Sequence, residues 1–68
     1  MTNPQSFCAG YVAVKCGRIK EELSSSEISN QFPRHNVESF SQGMTDALNH
    51  DSYRYRLHRE DAGIEVWG

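Results

Sequence analysis

The densest run of chemistry-bearing side chains is Tyr53-Arg54-Tyr55-Arg56-Leu57-His58-Arg59, in which Arg54 to Arg59 packs three of the chain's seven Lys and Arg residues into six positions. On an extended strand Arg54, Arg56 and His58 share one face, and with Arg59 they make a stripe suited to phosphate oxygens. The competing reading is a solvated outer face balanced by Glu60, Asp61 and Glu65. Arg34 and His35 form a smaller cationic pair at the entry to a helix, where an anion can dock on free amide groups. On that helix Ser39 and Gln42, with Ser41, Thr45 and Asn49, carry groups able to hydrogen-bond base edges. The expected nucleic-acid contacts are therefore Arg34, His35, Ser39, Gln42, Arg54, Arg56 and Arg59.

Other chemistries find less support. Cys8 and Cys16 stand eight positions apart, ~12 Å along a helix, whereas a disulfide needs Cα atoms within about 7 Å. Two small apolar residues in a reducing compartment are the simpler reading. Cys8, Cys16, His35, His50 and His58 show no C-x-x-C or H-x-x-x-H spacing, so no metal site and no cofactor are expected. His50-Asp51-Ser52 holds the residue types of a catalytic triad, but neighbours in sequence cannot form the relay. With no P-loop, nucleophile elbow, dinucleotide fingerprint or H-E-x-x-H, an enzyme is not expected.

The elements that must position these residues start with Asn3-Pro4, a capping asparagine followed by proline where a missing N–H costs nothing. A helix is expected from here to about Leu23, with Cys8, Val12, Cys16, Ile19 and Leu23 as its apolar stripe and Phe7 and Tyr11 widening it. Gly10, Gly17 and the β-favouring run Tyr11 to Cys16 leave a strand open as the alternative. Ser24 to Glu27 has the spacing of a capping box, opening a short helix with Ile28 and Phe32 on one face that must stop before Pro33. Asn36 caps a third helix in which Val37, Phe40, Met44 and Leu48 recur at steps of three, four and four. Beyond Asp51-Ser52 the period becomes two, in Tyr53, Tyr55 and Leu57, and again in Ile64 and Val66 after Gly63. That pattern predicts a C-terminal β-hairpin. No repeat, linker or low-complexity stretch is evident besides Ser24 to Ser26.

The expected architecture is thus α+β, three helices followed by a C-terminal β-hairpin, in one domain spanning 1–68. A chain of this length has room for a single core. This order resembles the winged helix-turn-helix family. The resemblance is carried by Leu23-Ser24-Ser25-Ser26-Glu27-Ile28-Ser29 opening the second helix, Phe32-Pro33 closing it, Val37 to Leu48 as the third, and Tyr53 to Trp67 as the wing. It implies a DNA-binding regulator whose third helix enters the major groove while the hairpin holds the backbone. The sequence departs from that pattern in the turn, which has no glycine, and on the third helix, which offers no Lys or Arg and carries Glu38 and Asp46.

The net charge of −2 gives no global attraction to nucleic acid or anionic lipid. The longest apolar run, Tyr11 to Val14, is far short of the ~20 residues that cross a bilayer, so no membrane is expected and the reading is cytoplasmic. Two functions follow. The first is DNA binding of winged-helix type, strengthened by a homodimer formed through the first helix. The second is a protein-interaction module, such as a phage or mobile-element inhibitor or adaptor that blocks a host protein. The second draws on the acidic balance, the acidic and hydroxyl-rich third helix and the small size.

Overall fold

The computed structural model describes residues 3–61 as four helices: α1 Pro4–Lys15, α2 Ser25–Gln31, α3 Val37–Leu48 and α4 Tyr53–Asp61. Among the described residues there is no strand. The α+β expectation is therefore corrected to an all-helical fold, and the winged-helix arrangement loses its wing. The strand expected at Tyr53 to His58 is instead α4, while the expected partner strand from Ile64 lies outside the described residues. Period two misled because Tyr53, Tyr55 and Leu57 do not share a face. On the helix Tyr55 turns inward at 8% exposure, and Tyr53 and Leu57 point to solvent at 71% and 48%. Local signals favour the helix. The Asp51 carboxylate accepts the Tyr53 N–H (3.1 Å), and the Ser52 carbonyl accepts the first helical bond, from Arg56 (3.1 Å). Arg59 in the last turn complements the negative end of the dipole.

α1 is shorter than its apolar stripe suggests. It begins where expected, with the Asn3 side chain accepting the Ser6 N–H, but ends at Lys15 rather than near Leu23. Gly17 takes φ +84° and closes the helix with paired bonds, Gly17 N–H to Val14 carbonyl (3.1 Å) and Arg18 N–H to Ala13 carbonyl (2.9 Å). This is the Schellman arrangement, which glycine accepts without Cβ strain. Ile19 still reaches the core, from the loop, at 3% exposure. Tyr11 to Lys15 belong to the helix, which decides against the strand alternative.

α2 and α3 start as their caps dictate. Ser24 and Glu27 form the reciprocal capping box, and Phe32 ends α2 directly ahead of Pro33. The Asn36 side chain accepts the Ser39 N–H at the start of α3 (2.9 Å). α3 ends with the same motif as α1. His50 sits at φ +59°, its N–H reaching the Ala47 carbonyl (3.1 Å) while the Asp51 N–H reaches that of Asp46 (2.9 Å).

The shared endings belong to a repeat. Asn3, Ser6, Phe7 and Gly10 recur 33 positions on as Asn36, Ser39, Phe40 and Gly43, and the left-handed residues Gly17 and His50 keep that offset. The two copies lie against each other in the same direction with reciprocal contacts. The Asn3 N–H donates to Ser39 Oγ (2.8 Å), and the Asn36 N–H donates to Ser6 Oγ (2.9 Å). Midway along, a Cβ on Gly10 would fall on the Phe40 carbonyl and 3.1 Å from the Met44 nitrogen. One on Gly43 would fall on the Phe7 carbonyl and 3.1 Å from the Tyr11 nitrogen. The backbones therefore touch across a glycine pair.

This contact divides the core. On one side Phe7, Cys8, Tyr11, Ala47 and Tyr55 seat α4; on the other Ala13, Ile19, Ile28, Phe40 and Met44 seat α2. α3 is thus the central helix. Ser39, Phe40, Gly43, Met44, Asp46 and Ala47 are all buried.

Candidate functional site

The placement of α3 changes the prospects of a groove-reading helix. Ser39, expected to face a base edge, is buried, and its hydroxyl holds the Asn3 amide. Asp46, expected to face outward, is buried and paired. Gln42 is half-buried on α3. In the α2–α3 turn Arg34 is exposed and His35 half-buried, its Nδ1 3.3 Å from Ser6 Oγ and its ring 5.7 Å from that of Phe40. These residues lie by the starts of α1 and α3. Arg54, Arg56 and Arg59 share α4.

The seam between α1 and α4 is built from rings and cations. Tyr11 and Tyr55 stack with centroids 4.0 Å apart and planes 8° from parallel. Lys15 Nζ lies 5.5 Å from the Tyr11 centroid, and the Arg59 guanidinium 5.7 Å from that of Tyr55, so a cation covers each outer ring face. Further along, the Arg54 guanidinium is 5.4 Å from the Phe7 centroid, and the His58 ring lies 4.5 Å from the same ring. Arg54 also grips Asp46 with two bonds, Nε to Oδ2 at 2.9 Å and Nη2 to Oδ1 at 2.6 Å. That fork-to-carboxylate geometry suits guanidinium and fixes the start of α4 on α3.

Burial and charge shift three groups here. The Asp46 hydrogen bond holds the Arg54 pKa above its usual value, against a smaller opposing effect of burial. Burial pushes the Cys8 thiol up, partly offset by the Arg59 charge. Burial and then the neighbouring Cys8 push Tyr55 up, with Arg59 again opposing. None of these shifts activates a nucleophile, because Cys8 is held in its neutral form. His58 Nδ1 is buried and makes no hydrogen bond. Among the described residues no group of three or more His, Cys, Asp or Glu is placed to hold a metal ion.

The other side of α4 faces solvent. Tyr53 and Leu57 stand one turn apart on it, with Arg56 and Glu60 exposed beside them. They are the exposed large hydrophobic side chains among the described residues. The arrangement is a short helix clamped from beneath by aromatic stacking and an ion pair, presenting a tyrosine and a leucine outward. Sequence reasoning found the arginines, but the period-two pattern put Tyr53, Tyr55 and Leu57 together on one face of a strand. The signal it passed over was Asp51-Ser52, which opens a helix as readily as it closes a turn.

Among the described residues the four helices define the class as a small all-helical domain. Comparison with protein-family models, curated protein sequences and solved structures finds nothing that matches the chain. Function must therefore be argued from the surface itself. Among the described residues no helix is long and apolar enough to cross a membrane.

Proposed function

We propose that this protein is a non-enzymatic protein-interaction module of the inhibitor or adaptor kind, which occupies a partner protein's surface with α4. The observation that carries the reading is the outward pair Tyr53 and Leu57 on a helix held rigidly from its other side. Anchors at i and i+4 are the spacing by which an amphipathic helix enters an apolar groove, and tyrosine is enriched among residues that dominate interface energies. Pre-ordering through Arg54 and the Tyr11–Tyr55 stack reduces the entropy lost on docking. Cys8 and Cys16 are free thiols, which suits action in the reducing cytoplasm. A groove-reading role has less behind it, since Ser39 and Asp46 of α3 are buried and already engaged. Dimerisation through α1 is likewise weakened, because Phe7, Cys8 and Tyr11 are spent on the core.

The test is affinity capture from nuclease-treated lysate of the cells that encode the chain, using wild type and the double variant Tyr53→Ser, Leu57→Ser. The reading expects one protein recovered at near-equal stoichiometry by wild type and lost with the variant, whose circular dichroism melt stays unchanged. Equal capture by both, or recovery of nucleic acid from untreated lysate with no protein, would overturn it.

A further inference from the structure

The two copies of the repeat are packed crosswise. α2 follows α1 in the chain, yet its Ile28 joins Phe40 and Met44 of α3, and among the described residues α1 and α2 pack on α3 rather than on each other. α4 follows α3, yet it seats mainly on α1, with Tyr55 stacked on Tyr11. Each long helix therefore takes its short helix from the other half. The halves, residues 3–32 and 36–61, are joined in the chain by Pro33-Arg34-His35 alone. This is the arrangement of a two-chain assembly whose members have been tied end to end.

We propose that the seam between the halves is a self-recognition surface, and that the partner it fits is a second copy of this chain, bound by reciprocal exchange of residues 3–32 in a closed twofold dimer. Every contact of the seam survives the exchange. The Asn3 N–H still reaches a Ser39 Oγ and the Asn36 N–H a Ser6 Oγ, each now on the other molecule. The seam also selects its occupant. A helix that enters it must bring glycine to the crossing, where backbones touch, and serine one turn earlier, where the cap amide is received. Another copy of the chain supplies both. Opening requires only that the turn straighten: the His35 N–H gives up the Phe32 carbonyl (3.1 Å), and Phe32, standing ahead of Pro33, is placed where extended backbone is favoured. The closed monomer is held by the effective concentration that a three-residue link confers, roughly mM. A shorter link removes the closed alternative and a longer one favours it. Tyr53 and Leu57 stay outside the seam, so the exchange is independent of the docking role of α4.

The experiment is sedimentation and nuclear Overhauser spectroscopy on the full chain, with reductant present so that exposed Cys16 links no molecules. Equal parts of isotope-labelled and unlabelled chain are unfolded together in urea and refolded at roughly mM concentration. A dimer is expected in which Tyr11 of a labelled molecule contacts Tyr55 of an unlabelled one. Refolded at roughly a hundredth of that concentration, the chain is expected to be monomeric. Deleting Arg34 should give the same dimer even when dilute, and inserting Gly-Ser-Gly after Arg34 should abolish it even when concentrated. Exchange is refuted if the concentrated wild type yields no dimer, if its dimer keeps the Tyr11–Tyr55 contact within one molecule, or if the lengthened turn dimerises as readily as wild type. A deletion variant that folds as a monomer refutes it equally; should that variant not fold, the wild-type and insertion arms decide. Leu57→Ser should leave the dimer intact, and a dimer that it dissolves is an α4 contact, which overturns the exchange.

Discussion

Replacing Gly10 by alanine tests the repeat-on-repeat contact at its tightest point. Propensity alone says that alanine stabilises a helix interior, by ~1 kcal/mol over glycine. The packing says the reverse. The new methyl group would fall on the Phe40 carbonyl, and both that oxygen and the Met44 nitrogen belong to the α3 backbone, so no rotamer change relieves the clash. α1 and α3 must move apart, loosening Phe7, Phe40 and Met44, all fully buried. Overpacking costs ~1–3 kcal/mol and occasionally more, and rigid backbone on the receiving side puts this site at or above the upper end. After subtracting the propensity gain, the net loss is about 2 kcal/mol, or roughly 8–16 °C in Tm for a domain this small. Gly43→Ala meets the Phe7 carbonyl in the mirror-image way and should cost the same. The double variant should lose less than the sum, because the first methyl group already separates the helices. Circular dichroism melts with urea titrations give the numbers, and Ser29→Ala, at an exposed helical position, reports propensity alone. A Gly10→Ala protein more stable than wild type would refute the close crossing.

Three further outcomes follow from the same contacts. His50→Gly should raise stability by up to ~1 kcal/mol, since His50 occupies at φ +59° the left-handed position that Gly17 fills in the other copy, and a lowered Tm would contradict the assigned helix end. Arg54→Ala should cost ~1–3 kcal/mol by leaving the Asp46 carboxylate buried without its partner, with Arg54→Lys only a partial remedy; Arg56→Ala should stay within about 0.5 kcal/mol. Cys8 and Tyr55 bind their protons more tightly when folded than at their ordinary values of 9.0 and 10.0, so the stability they confer is complete below about pH 9 and drains away as pH rises through the folded values. Urea midpoints should fall above that pH and fall less steeply in Cys8→Ala, and a thiol reagent should label exposed Cys16 far faster than Cys8. Midpoints that climb with pH would contradict the burial of both groups.

What the sequence disclosed and what it withheld divide along physical lines. The starts of α2 and α3 were legible because capping is local chemistry: Ser24 with Glu27, Asn36 with Ser39, and Pro33 as a stop. The end of α1 was not, because Ile19 is as buried as any helical core residue while standing in a loop, so the apolar stripe outlasts the helix. α4 was misread because alternation in Tyr53, Tyr55 and Leu57 implies a shared face only if the chain is extended, and tertiary packing on Phe7 and Tyr11 decided otherwise. The repeat escaped notice because its matches are spread along each helix. Their meaning appears once Gly10 and Gly43 touch the other copy's backbone. As for the site, the arginines of α4 stood out by density alone. The outward Tyr53 and Leu57 could be recognised only after the element carrying them was known.

The claim on which the rest depends is that residues 53–61 form a helix seated on α1 with Tyr53 and Leu57 turned to solvent. Nuclear Overhauser spectra of the free protein test it most directly. The structure predicts sequential amide-to-amide contacts from Tyr53 to Asp61, ring contacts between Tyr55 and Tyr11, and none from the Tyr53 ring to Phe7 or Tyr11. Cross-strand Hα-to-Hα contacts in this segment, or a Tyr53 ring packed in the core, would contradict it.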